Sequence, residues 1–229
     1  MPLTVTVLQS NYLPWKGYFD LIRRSDLFVF YDDVQFTKND WRNRNQIKTR
    51  NGLLWLSIPC GTDLNRRICD VALADHAWQE KHWRSIRQEY LKAPHFEWCR
   101  RFLEPVYLDA RWTNLSELNQ HLVTLVAREM GIPTPFDDSR RHGLQGSRGE
   151  RLLQLLKAVG ATRYLSGPAA RSYLDEAAFR EAGVEVEWMS YGPYPEYPQF
   201  HPPFVHAVSV VDLLMHAGPE AARYLEPVR

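Results

Sequence analysis

The sequence predicts an α/β fold: a mostly parallel open sheet with flanking helices, a β-hairpin insertion and a helical middle segment. Three observations carry this. Residues 1–31 run apolar stretch, polar loop, amphipathic stretch, apolar stretch, a β-loop-α-β pattern. The last third alternates helix and strand signals again, which implies parallel pairing. Between them, Arg50-Asn51-Gly52 divides two strand-like segments, and Asn-Gly is a strong hairpin turn signal.

Leu3–Gln9 reads as a strand, with Val5, Val7 and Leu8 around threonines. The block from there to Trp15 is a loop, because Pro14 disfavours helix for Leu13. Gly17–Arg24 follows as a helix with Tyr18, Leu21 and Ile22 on one face. Leu27–Tyr31 is apolar throughout, as a buried parallel strand should be. Asn45–Thr49 and Leu53–Pro59 form the hairpin, and Ile68–Leu73 alternates as a further strand.

The middle is helical. Trp78–Leu91 places Trp78, His82, Ile86 and Tyr90 on one stripe, and Pro94 stops it. Asn114 and Glu117 form a capping box before a helix that runs to Gly131. Ser147 and Glu150 form another before Leu152–Val159. Asp137–Gly149 reads as a flexible crossing loop. Arg163–Ser166 and Val184–Ser190 are strands around a helix at Asp175–Ala182. Tyr191–Pro203 is too rich in Pro and Tyr for regular structure. Val208–Ala217 is a helix with Ser209 and Asp212 at capping-box spacing.

One domain spanning 1–229 is expected, with 76–131 as a helical subregion. Hydrophobic residues at 45% and charged residues at 24% fit an ordinary globular chain. A formal net charge of +1 argues against a dedicated polyanion binder. No signal peptide or membrane span is visible, and Cys60, Cys69 and Cys99 show no C-x-x-C spacing. A cytoplasmic protein with reduced thiols is the reading. No metal-ligand spacing and no G-x-G-x-x-G or P-loop is present, so no metal or cofactor is expected.

Both N-terminal apolar runs end in polar-aromatic bursts. In an open α/β sheet, ligands bind outside the carboxyl ends of the strands, so parallel pairing would bring these bursts to one edge. Asp32 and Asp33 follow the second strand, where a carboxylate serves as a general base or simply caps a turn. Arg44 and Lys48 suit phosphate or carboxylate, and they equally suit a solvated hairpin face. Gln9, Asn11 and Tyr12 offer groups that orient a sugar or amide, or that satisfy loop backbone. Ser166 ends a short strand at a Gly-Pro turn. His82, on an apolar stripe, reads as a satisfied core histidine.

Together these residues resemble the WbqC-like protein family. The motifs are Gln9-x-Asn11-Tyr12-Leu13-Pro14-Trp15-x-Gly17-Tyr18-Phe19, Asp32-Asp33-Val34-Gln35-Phe36 and Trp41-x-Asn43-Arg44-Asn45-x-Ile47-Lys48-Thr49. They continue with Trp55-Leu56-x-Ile58-Pro59, Tyr164–Ala170, Glu196-Tyr197-Pro198-Gln199 and Ser209-Val210-x-Asp212-Leu213-Leu214. Ser10 stands where the family more often has Pro, and Cys60 where it has an aliphatic residue, which weakens Cys60 as a family nucleophile.

The resemblance implies a transferase of surface-polysaccharide (O-antigen) biosynthesis, adding an aminoacyl or acyl group such as glycine to a nucleotide-linked amino sugar. Asp32 and Asp33 are then the candidate catalytic residues. Gln9, Asn11, Tyr12, Trp15, Gln35, Asn43, Arg44, Lys48, Ser166, Tyr197 and Gln199 are the candidate substrate-binding residues. The partner is a small anionic molecule, a nucleotide-linked sugar or activated amino acid. Nucleic acid enters only as an aminoacyl-tRNA donor. A non-catalytic binding module for a glycan precursor or partner protein is the alternative. Either way, Tyr191–Pro203 is expected to fold over the N-terminal loop as a wall or lid.

Overall fold

A computed structural model describes residues 2–146 and 148–226. Its strands are β1 (Thr4–Leu8), β2 (Leu27–Phe30), β3 (Arg44–Thr49), β4 (Gly52–Ser57), β5 (Phe136–Asp138), β6 (Arg163–Ser166) and β7 (Glu185–Trp188). Its helices are α1 (Lys16–Arg23), α2 (Ala77–Tyr90), α3 (Phe96–Leu108), α4 (Leu115–Glu129), α5 (Arg148–Ala158), α6 (Glu176–Glu181) and α7 (Val210–Ala217). Five strands form one sheet in the order β5-β2-β1-β6-β7, with every neighbouring pair parallel. β3 and β4 form a separate antiparallel hairpin.

This order contains a topological switch point. From β1 the chain moves outward to β2 and β5, then returns to β6 on the other side of β1. The loops after β1 and β6 therefore diverge and leave a crevice at the carboxyl edge, where such sheets bind ligands.

Alternation along β1 divides the core. Val5 and Val7 face a cluster with Val29, Leu155, Leu156 and Phe179. The opposite face is covered by a larger cluster, in which Phe28 and Phe30 meet α2, α3, α4, α7 and the inner hairpin residues Ile47 and Leu56. Thr6 is buried and satisfied, its hydroxyl donating to the Leu165 carbonyl at 3.0 Å.

Two expectations change. Ile68–Leu73 is not a strand: Ile68–Asp70 is a short 3-10 turn. Its amides are taken by neighbouring loops, with Ile68 N–H donating to Val34 O at 2.9 Å and Cys69 N–H to Asp32 O at 2.9 Å. Asp137–Gly149 is not all loop, because Phe136–Asp138 pairs with β2 as an edge strand. Two aspartates in three residues hide that strand from an apolar-periodicity reading. Phe96–Leu108 is one of the helices of the helical middle; Pro105, in its last turn, has no N–H to donate to the Arg101 carbonyl, so that one bond is forgone. The expected cap at Ser147 lies outside the described residues. At α7 only half the capping box forms: Ser209 Oγ accepts from Val211 N–H at 3.3 Å, while Asp212 is used elsewhere.

Candidate functional site

The loop leaving β1 is fastened from several sides. Asp32 Oδ1 accepts from Ser10 N–H at 2.8 Å. Tyr12 N–H donates to Trp41 O at 2.9 Å, and Val210 N–H to Pro14 O at 2.9 Å. Asn45 Nδ2 donates to Leu13 O at 2.7 Å. These ties hold Leu13 at φ 43°, a left-handed conformation costing on the order of 1–2 kcal/mol for an L-residue. Strain of this kind persists only where surroundings over-determine the backbone, and it concentrates at functional sites. Trp15 explains the glycine two residues on: a Cβ at Gly17 would lie 2.2 Å from the indole ring.

Beneath the loop, the Tyr12 hydroxyl is 2.8 Å from His82 Nδ1 and 2.7 Å from Tyr107 Oη. Burial pushes the His82 imidazole down to about 4, so it is neutral at physiological pH. His82 is the satisfied core histidine the sequence suggested.

The Pro/Tyr-rich segment does lie against this loop. Trp15 packs on Tyr191 and Tyr194 with ring centroids at 5.3 and 6.0 Å. Two buried lysines pin the segment. Lys16 Nζ donates to Pro195 O at 3.1 Å beneath the rings of Tyr194, Tyr197 and Phe204, 5.2–5.6 Å away. Lys48 Nζ donates to Gln199 Oε1 at 2.6 Å and to Pro203 O. Burial lowers the Lys16 amine to about 8, with Glu196 and Asp212 opposing the shift. It lowers Lys48 too, against the pull of Asp212. Asp212, fully buried, accepts from Tyr90 at 2.7 Å, Tyr197 at 2.8 Å and Gln199 Nε2 at 2.7 Å.

Asp32 and Asp33 stand at the carboxyl end of β2, both engaged. Asp32 is fully buried, accepting from Ser10, Ser116 and Gln120. Burial raises its carboxyl above the ordinary value, while those hydrogen bonds pull the other way. Asp33 is held by Ser139 and Arg151, with its side chain 10% exposed. Gln35 is exposed and Gln9 half-buried. Asn43 is buried, its Nδ2 donating to Ile58 O at 3.0 Å. Ser166 is buried with Oγ donating to Tyr164 Oη at 3.2 Å. Tyr12, Lys48, Tyr197 and Gln199 are thus part of the packed frame, whereas Asn11 and Trp15 line a pocket.

That pocket has a volume of about 210 Å³ and is lined by Asn11, Pro14, Trp15, Trp41, Asn45 and Ala207. Asn11 Oδ1 is buried there without a hydrogen-bond partner. Trp41 is 46% exposed, and its ring lies 5.9 Å from that of Trp55. The Arg44 guanidinium sits over Trp55 at 4.2 Å and makes no ion pair among the described residues. A second cleft of about 490 Å³ opens at the ends of β2 and β5, lined by Phe30, Gln120, Thr124, Phe136, Asp137, Asp138, Arg140 and Arg141.

Sequence reasoning does not single out Lys16 or Trp41. For Lys16 the available signal was its i, i+4 spacing with Asp20 in a helix otherwise rich in apolar residues. Both meet the overlying segment, since Asp20 accepts from Tyr194 at 2.8 Å. Among the described residues, no group of three or more His, Cys, Asp or Glu is placed to hold a metal ion. No helix among them is long and apolar enough to cross a membrane.

Comparison with known proteins places this geometry in a family. The chain is 42% identical over 227 residues to "Uncharacterized protein Rv1507c" of Mycobacterium tuberculosis, covering 98% of each chain. No solved structure matches the chain. The family model of the WbqC-like proteins matches residues 9–224, and the chain belongs to the WbqC-like protein family.

Proposed function

We propose that this WbqC-like protein is a cytoplasmic transferase of surface-polysaccharide (O-antigen) biosynthesis, moving an aminoacyl or acyl group such as glycine onto the amine of a nucleotide-linked amino sugar. The observation that carries this reading is Arg44. It makes no ion pair among the described residues and stacks on the exposed Trp55, whose ring lies 5.9 Å from that of Trp41 in the pocket wall. Lys16 and Lys48 are already committed to carbonyls of the overlying segment. An uncommitted guanidinium suits the phosphate of an activated sugar, which it can engage bidentately.

In this reading Asn11 and Gln9 orient the acceptor and Trp15 walls it. The acceptor amine attacks the acyl carbonyl carbon, the donor's leaving group departs with the bonding electrons, and the amine proton passes to a carboxylate. Asp33 is assigned that proton, because its side chain reaches the surface while Asp32 is fully enclosed. Asp32 then acts as a positioning residue that holds Ser10 and the loop. An amine nucleophile needs only a base and a polarised acyl donor, so no Ser-His-Asp arrangement is required.

The test is a mass-spectrometric screen with nucleotide amino sugars and activated amino acids. Asp33→Asn is expected to lose turnover with its fold intact, and Arg44→Ala mainly to weaken substrate binding. Unchanged turnover in both variants would end the proposal. Binding without turnover for every donor would favour a non-catalytic module instead.

A further inference from the structure

The geometry points to a division of labour in the substrate site: the pocket between Trp15 and Trp41 seats a single sugar ring, and the Arg44–Trp55 pair outside it carries the anionic remainder. This rests on the sugar-transferase reading above and assigns the subsites within it. A pyranose has two kinds of surface, a face of C–H groups and a rim of hydroxyl and amine donors. The pocket offers a matching pair. Its apolar walls are Trp15, Trp41, Pro14 and Ala207, and its polar wall is Asn11 with Asn45.

The two asparagines differ in what they have left to give. Asn45 is satisfied, with Nδ2 donating to Leu13 O at 2.7 Å and Oδ1 accepting from Gln46 N–H at 2.8 Å. Asn11 Oδ1 is buried and unpaired. An enclosed acceptor without a partner is unfavourable, and rotation of the Asn11 amide would turn it toward a donor brought into the pocket. A ring hydroxyl, amine or amide N–H supplies one.

Size sets the boundary of the subsite. The pocket has a volume of about 210 Å³. One ring with its substituents fits, and a whole nucleotide sugar does not. The rest of the ligand must therefore leave the pocket past Trp41, which is 46% exposed. It would then reach Trp55, 40% exposed and capped by the Arg44 guanidinium at 4.2 Å. The path is continuous, because the two indoles are 5.9 Å apart.

The experiment uses the full chain and tryptophan fluorescence or saturation-transfer NMR, with amino hexoses, their N-acetyl forms, the matching sugar phosphates and free nucleoside monophosphate as probes. Free sugars are expected to bind. Asn11→Ala should weaken this on the order of tenfold through a lost hydrogen bond, and Trp41→Ala on the order of tenfold through a lost apolar wall. Arg44→Ala should leave free-sugar affinity unchanged and weaken only the sugar phosphates. Thermal unfolding of each variant confirms the fold, and Trp41→Phe should recover part of the Trp41→Ala loss. Absence of free-sugar binding, or binding indifferent to Asn11 and Trp41, overturns the assignment. The two proposals fail separately. Sugar binding that depends on Asn11 without any aminoacyl turnover removes the transferase and keeps the pocket. Turnover retained in Asn11→Ala and Trp41→Ala removes the pocket and keeps the transferase.

Discussion

Two concavities open on the same edge of the sheet, and they are built in opposite ways. The cleft at the ends of β2 and β5 is the larger, about 490 Å³, and its walls are charged. Those charges answer one another: Arg140 pairs with Asp138 at 2.6 Å and Arg141 with Asp137 at 3.2 Å. The pocket in the β1 loop is less than half that volume, yet it holds an unpaired amide oxygen and lies beside an uncommitted arginine. Volume and charge density are therefore poor guides here. The site proposed above is distinguished by polar capacity that the fold leaves unused.

One residue links the two. Asp32 fixes Ser10 in the pocket loop and, through Gln120, reaches Asp138 in the wall of the larger cleft. Asp32→Ala would strand several buried donors at once. The expected loss is about 3 kcal/mol or more, a fall of roughly 6–12 °C in the melting temperature. A calorimetric shift no larger than that of an ordinary surface substitution would show that the two concavities share no anchor.

The pocket loop also rests on Tyr12 and His82, and this support has a pH signature. His82 titrates near 4 in the folded protein instead of its ordinary 6.5, because burial opposes its charge. Between those values the unfolded chain takes up a proton that the folded chain refuses, so stability falls as pH falls through this window. The contribution is about 3 kcal/mol when complete. Urea unfolding at pH 7 and pH near 4.5, for the natural chain and for His82→Gln, isolates it from the carboxylates. Parallel losses in the two proteins would refute the assignment.

The smallest expected effect belongs to the larger cleft. Arg141 is 74% exposed along its side chain, and exposed ion pairs contribute about 0–1 kcal/mol. Arg141→Ala should leave both unfolding and turnover almost unchanged. A tenfold or greater loss of turnover would move the site to this cleft and reverse the comparison.

Most of the frame was legible in the sequence because its signals are local. The β1–α1–β2 unit follows from apolar periodicity, and the hairpin from Asn51-Gly52 between strand-like runs. β5 was not legible, since Phe136-Asp137-Asp138 has no apolar alternation and gains its strand character only by pairing with β2. Candidate polar residues were legible as a group, but their division was not. Lys48 and Arg44 are both cations on β3. Both lie on the same face of the strand, with Trp55 and Leu53, yet Lys48 is spent on the Pro203 carbonyl while Arg44 stacks on Trp55.

The sequence by itself determined the α/β class, the family and the set of loops that meet at the carboxyl edge, because periodicity, turn chemistry and motif order are properties of neighbouring residues. Only the tertiary structure decided which polar groups are used up. Lys16 finds its partner 179 positions away at Pro195, and Asp32 finds Ser116 and Gln120 on α4. Whether a side chain is spent on the fold or left for a ligand depends on such distant contacts, and no local pattern encodes them.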